Sequence, residues 1–303
     1  MKAAGLALAA GLALAAGLAL VAALAIPAAA QEAEPPQIVV EGEKPQTEAA
    51  LTDLARDLAG NPRPRRPLAR FEQPLCLMVA AGDAELARDV ATRIIDNARI
   101  AKVPVRKSGC KPNALLTFSD DAHAQLRDIR KSGRRLFAGI SAREIDAAMD
   151  ARDPVYVFQA SKQTAASGEV IISSPEAGGS GGIPGPTNQI WSAGRLKREI
   201  REDMLAVLVV VDNGAIAGLS PVQIADYASL RLLAPTGEVD VAEADAPRTI
   251  MTLFVAPSDA PAAMTRFDRA YLKALYRMPA GAFASEVLRA AVVDVTRGTE
   301  DER

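Results

Sequence analysis

From residue 71 onward, apolar runs of strand length alternate with stretches whose apolar residues recur every three or four positions. Residues 74–80 (PLCLMVA) and 114–118 (ALLTF) read as buried strands. Between them, 83–102 reads as a helix with Leu86, Val90, Ile94 and Ala98 on one stripe, and 103–105 is short and extended. Together these predict a β-α-β unit. Residues 121–132 read as a helix. Another opens on Ser141 and runs to about Asp150; Glu144 completes a capping box, the hydroxyl accepting an amide hydrogen bond while the carboxylate reaches back. Residues 155–164 and 169–173 alternate and are β-branched, as a hairpin would be. The run 204–211 (MLAVLVVV) is the most β-prone in the chain and is expected at the centre of the sheet. Ser220-Pro221-x-Gln223 starts a helix to about Leu233 that is apolar nearly all round, which argues for burial. Residues 249–255 read as a strand. Residues 265–277 read as a helix with Phe267, Tyr271 and Leu275 on one stripe, and 284–296 as the last helix. The elements interleave without a strict repeat, so the expected fold is α+β: a mixed sheet packed with helices, one domain over residues 71–298, then a tail at 299–303.

Two regions break this pattern. Residues 178–186 (GGSGGIPGP), Trp191 and the helical-looking stretch 195–202 form a long insertion before the central strand. Ahead of residue 71, Met1-Lys2 precedes an uncharged run over 3–26 that contains AAGLAL three times, followed by PAAAQ. A charged start, an apolar run and a small-x-small site (Ala28, Ala30) describe a signal peptide over 1–30, cleaved after Ala30. The alternative is an uncleaved anchor, since the run is long enough to span a bilayer. Its many Ala and Gly residues favour cleavage. No Cys follows it to carry a lipid. Cleavage leaves no second long apolar stretch, so no membrane partner is expected, and the destination is the periplasm or the exterior.

Residues 31–70 read as a disordered acidic tail and a Pro/Arg linker. Residues 38–40 (IVV) form a β-prone island that would add to a partner's sheet edge. The island resembles the short extended motif near the N-terminus of TonB-dependent receptors. Residues 50–59 would make a short amphipathic helix. Residues 61–70 (NPRPRRPLAR) read as an extended spacer. Its Arg63, Arg65, Arg66 and Arg70 are candidates for contact with anionic envelope polymers or lipid headgroups. Envelope proteins are the other partner class for 31–70.

Composition removes several functions. The 303 residues carry a net charge of −2, which excludes a strongly basic nucleic-acid binder. One histidine and two cysteines exclude most zinc sites. Cys76 and Cys110, an even pair in an exported chain, favour a disulfide over two separate buried thiols. Gly178-x-Ser180-x-Gly182 matches a nucleophile elbow in letters only: no strand leads into it and no histidine follows. No phosphate-cradling glycine motif is present, and no cofactor is expected. His123, beside Asp120 and Asp121, reads as a surface side chain or a general base. The acidic clusters at 120–121 and 238–245 lack the spacing of calcium loops.

Four stretches together carry a family resemblance: 110–118 (CKPNALLTF), the run 204–211 with 219–234 (LSPVQIADYASLRLLA), 249–254 (TIMTLF) and 267–276 (FDRAYLKALY). Their order resembles an uncharacterised family of exported alphaproteobacterial proteins, which in turn looks related to zincin-type metallopeptidases. The resemblance implies a zincin-like fold. In a zincin, the helix after the central strand carries two zinc-binding histidines and a glutamate that activates water. Here that helix offers Ile224-Ala225-Asp226-Tyr227-Ala228-Ser229, with neither histidine nor the glutamate. Asp226 is the one ionisable group on its buried part and needs a partner; Arg248, Arg266 and Arg269 are candidates. Asp226 reads as a fold anchor or as part of a ligand pocket with Tyr227 and Tyr271. The expectation is a non-catalytic envelope binding module without metal, contacting partners through its tail, its arginine linker and a cleft beside Asp226 and Tyr227. The alternative is a metal-independent hydrolase using carboxylates of that cleft.

Overall fold

In the computed structural model, three parallel strands and one antiparallel strand form a sheet in the order β1-β2-β4-β3. The structure describes residues 46–107, 109–132, 137, 140–165, 200–239 and 247–301. These fall in one compact unit, Lys44–Arg303.

The expected β-α-β unit is present. Strand β1 (Leu77–Ala80) pairs in parallel with β2 (Ala114–Ser119), and α2 (Ala84–Ile100) connects them. Asp83 caps α2 by accepting from the amides of Glu85 and Leu86. Residue 105 pairs with Leu75, as its extended reading implied. The ladder of β1 is shorter than expected, and its side chains alternate between half-buried and exposed because it lies at the sheet edge. Cys76 and Cys110 form a disulfide, with Cα atoms 6.1 Å apart.

The central strand is β4 (Ile200–Asp212), flanked by β2 in parallel and by β3 (Val155–Ala165) in antiparallel. Its unbroken apolar run follows from burial on both faces. Val207, Val209 and Val211 point into the larger core; Leu208 and Val210 point into a smaller one with Leu126, Ile145, Tyr156 and Phe158. Two expectations change here. The partner of β3 is β4, while residues 169–173, assigned to the other arm of a hairpin, lie outside the described residues. Ile200, Arg201 and Glu202 are strand and not helix, because they pair with Ala165, Thr164 and Gln163. The signal peptide, the island at 38–40 and the glycine loop also lie outside the described residues.

Helices α3 (Ala122–Ser132) and α4 (Ala142–Ala151) bound the smaller core. The larger core is bounded by α2, α5 (Pro221–Leu233), α6 (Arg266–Arg277) and α7 (Ala284–Asp301). The capping boxes at Ser141/Glu144 and Ser220/Gln223 are both formed. Residues 250–254 are 3₁₀ helix, not strand. The carboxylate of Asp268 draws in the Thr249 hydroxyl and the Ile250 amide, a donor that a strand would offer to its neighbour.

The largest correction concerns residues 46–70. Compact structure begins before Phe71, with α1 (Glu48–Leu58), whose Leu51, Leu54, Ala55 and Leu58 are buried. The 61–70 segment is a strap and not a spacer. Its Pro64 and Arg66 carbonyls accept hydrogen bonds from the backbone amides of Ser285 and Ala284, at the start of α7. Arg70, expected to face anionic polymers, pairs with Glu72 and donates to the carbonyls of Leu275 and Met278, both at 2.7 Å, capping the end of α6. Arg63, Arg65 and Arg66 remain exposed. The repeated apolar spacing that forms α1 is present in the sequence; the Pro/Arg composition obscured that its flank had a helix to lie against.

One backbone contact locks α1 in place. The amide of Gly237 donates to the carbonyl of Leu58 at 2.9 Å. A Cβ on Gly237 would lie 2.6 Å from the Cα of Gly60, closer than side chains are found. Gly237→Ala is therefore expected to destabilise the fold by about 2 kcal/mol, as overpacking against backbone does; denaturant unfolding measures this. The disulfide joins residues 34 apart, so Cys76→Ser/Cys110→Ser is expected to cost about 4 kcal/mol on loop-entropy grounds. Matched melts with and without reductant should show the same loss for the native chain and none for the double variant.

Candidate functional site

The sequence pointed to Asp226, Tyr227 and Tyr271. All three are on buried faces: Asp226 and Tyr271 are fully buried and Tyr227 is 3% exposed. Among the described residues their side chains are enclosed by protein and do not line an open cleft, which corrects that expectation.

Asp226 lies in the middle of α5, facing α2. Arg93 of α2 grips it with two parallel bonds, Nε to Oδ1 at 2.8 Å and Nη2 to Oδ2 at 2.9 Å. Asn97 donates to Oδ1 at 2.8 Å, and the backbone amide of Met264 to Oδ2 at 2.7 Å. Four donors fill the acceptor sites of one carboxylate. The partner is thus Arg93, and not Arg248, Arg266 or Arg269. Arg269 acts one step away, donating to the Met264 carbonyl. Asn97 and Arg93 stand one helical turn apart on α2, as Asp226 and Ser229 nearly do on α5; Asn97 also donates to Ser229 Oγ at 2.9 Å. Burial acts to raise the Asp226 pKa. The Arg93 bond, the Met264 amide, the Asn97 amide and the arginine charge outweigh it and hold the carboxyl below its ordinary range.

Asp268, on α6, is equally buried but pairs with no cation among the described residues. It accepts from Thr249 Oγ1 at 2.5 Å, the Ile250 amide at 2.9 Å and the Thr265 amide at 2.8 Å. Burial dominates there and pushes its pKa up against those bonds. The sequence signal for Asp268 was its place in a capping box with Thr265, which the structure forms. The signal for Arg93 and Asn97 was two polar residues at the margin of an apolar stripe.

The tyrosines serve the end of α5. That helix stops before Pro235 and leaves carbonyls without intrahelical partners. Tyr276 donates to the Leu233 carbonyl at 2.7 Å and Tyr271 to the Pro235 carbonyl at 2.8 Å. Gln159 of β3 donates to the carbonyls of Arg231 and Ala234, both at 2.7 Å. Tyr227 Oη accepts from Arg231 Nε at 2.9 Å, and its ring meets Phe254 edge-on with centroids 4.7 Å apart. Burial raises the pKa of all three tyrosines, so each is a neutral phenol at neutral pH.

His123 is half-exposed in the first turn of α3. Its acidic neighbours are already engaged: Asp121 accepts from the Ala124 amide, and Asp120 from Asn213 Nδ2. Among the described residues, no three His, Cys, Asp or Glu side chains converge as a metal cluster would. An open groove of about 460 Å³ runs beside β3, lined by Asp153, Val155, Val157, Gln159, Arg231 and Glu238 among others. Among known proteins, the chain matches no family model, no curated protein and no solved structure.

Asp226→Ala leaves Arg93 and Asn97 without their acceptor and should cost about 3 kcal/mol, the low end for breaking a buried pair because Arg93 is 41% exposed. Because the folded pKa is depressed, the Asp226 contribution is complete above the unfolded value of about 3.9 and is lost as pH falls through the lower folded value. Melting of the native chain and of Asp226→Asn from neutral to strongly acid pH should show a gap that is constant above about pH 5 and closes below about pH 4.

Proposed function

We propose that the chain is an exported, non-catalytic binding module on a metallopeptidase-like scaffold that lacks the metal ligands. The observation that carries this reading is the saturation of Asp226. The helix that follows the central strand is where the resemblance puts water-activating chemistry. Its one buried carboxylate spends every acceptor site on Arg93, Asn97 and Met264. A group so engaged has no lone pair left to take a proton from water or to attack a substrate. The reading also draws on the order of the elements: α5 follows the central strand β4, and α6, which carries the 267–276 stretch, packs against α5.

The disulfide supports export, since such bonds persist in oxidising compartments. The periplasm or the exterior is the assigned location. Binding is assigned to the open surface, with the groove beside β3 as its concave part.

The test is turnover. The purified chain, with and without added zinc, is expected to leave peptide and glycan substrates intact. Its melting temperature is expected to be the same with and without chelator. Hydrolysis by the native chain that disappears in Asp226→Asn, assayed at a temperature where circular dichroism shows the variant still folded, would overturn the reading.

A further inference from the structure

A second charged surface lies at the other end of α2. Residues 97–119 contain no aspartate or glutamate. Within them, Lys102, Arg106, Lys107 and Lys111 are exposed. None of the four makes an ion pair or side-chain hydrogen bond among the described residues, unlike Arg99, which pairs with Asp96 at 3.1 Å. In a chain of net charge −2, four unpaired cations in ten residues are a local segregation of charge.

The segment carrying them is held to the sheet edge. The amide of Leu75 donates to the Pro104 carbonyl at 2.7 Å, and the amide of Arg106 to the Leu75 carbonyl at 2.8 Å. The Cys76 amide donates to Asn113 Oδ1 at 2.7 Å, Asn113 Nδ2 returns to the Pro74 carbonyl at 3.2 Å, and the disulfide fixes Cys110. Lys102 sits in the left-handed region at φ 67° as the chain leaves α2, a conformation a side chain accepts only at a cost. Holding the segment in place spares the cations an ordering cost when they meet a ligand.

A large apolar side chain stands out beside the cations: Ile100, two residues before Lys102, is 65% exposed. An anionic polymer offers such a side chain nothing. A bilayer offers it the boundary between headgroups and acyl chains, while its phosphates meet the cations.

We propose that this edge, with Ile100, Lys102, Arg106, Lys107 and Lys111 at its centre, is a peripheral docking surface for an anionic phospholipid bilayer. Among the described residues no helix is long and apolar enough to cross a membrane; the proposed contact is with its surface.

The test is co-sedimentation of the full chain, purified after export, with vesicles of mixed phosphatidylglycerol and phosphatidylcholine or of phosphatidylcholine alone. Binding is expected only with phosphatidylglycerol and should fall steeply with salt. Each cation near the surface contributes about fivefold, so Arg106→Gln/Lys107→Gln should weaken binding about 30-fold. Ile100→Ser should weaken it several-fold, and Arg63→Gln/Arg65→Gln, on the strap, should leave it unchanged. Circular dichroism checks that each variant melts like the native chain. Equal binding to both vesicle types overturns the proposal, as does an equal loss from the strap variant. So does binding of soluble polyphosphate, sensitive to Arg106 and Lys107, without binding of vesicles.

Discussion

An ionised carboxylate inside a protein must be surrounded by donors or it will not stay there. Asp226 meets that condition with three elements at once: the side chains of α2, its own helix α5, and the backbone of the segment entering α6. Much of the architecture depends on this junction. It fixes the rotation of α5 against α2, and with it which residues of α5 face the sheet. It also fixes Met264, next to the Thr265 cap of α6. Asp268 then continues the line, gathering the turn at 249–250 under the same helix. Two aspartates, one ionised against an arginine and one pushed toward its neutral form by burial, join helices and turns that are far apart in sequence.

The elements themselves were largely legible in the sequence. Helices α2 and α6 carry clear apolar stripes, α5 is apolar nearly all round, and Ser141 and Ser220 mark the starts of α4 and α5 through local chemistry. The β-α-β unit and its disulfide could be read from spacing and compartment. What could not be read depended on distant partners. Residues 249–255 have the composition of a strand, and only the arrival of Asp268 makes them a 3₁₀ turn. The strap at 61–70 has the composition of a spacer, and only the start of α7 gives its carbonyls something to accept from. Arg93 could not be named as the partner of Asp226, because 133 residues separate them and other arginines were nearer in sequence.

The candidate site shows the same limit from the other side. Tyr227 and Tyr271 stood out as polar groups on apolar helices, a pattern shared by ligand pockets and by capped helix ends. Pro235 separates the two meanings. It ends α5 and leaves a row of carbonyls; Tyr271 and Tyr276 reach carbonyls there, and Tyr227 accepts from Arg231 of its own helix. The interior is thereby committed to holding the fold. On the proposed reading, contact with other molecules falls to the periphery, at the β3 groove and at the cationic edge by the disulfide.

The two covalent and backbone locks of the molecule act on very different lengths of chain. The bridge between Cys76 and Cys110 lies wholly within the first strand–helix–strand unit and can form once that unit has been made. Helix α1 instead rests on α7, the last of the described helices, and on Gly237. During synthesis from the N-terminus, α1 must wait with its leucines uncovered until α7 has appeared. The first described helix is therefore secured only by segments made long after it.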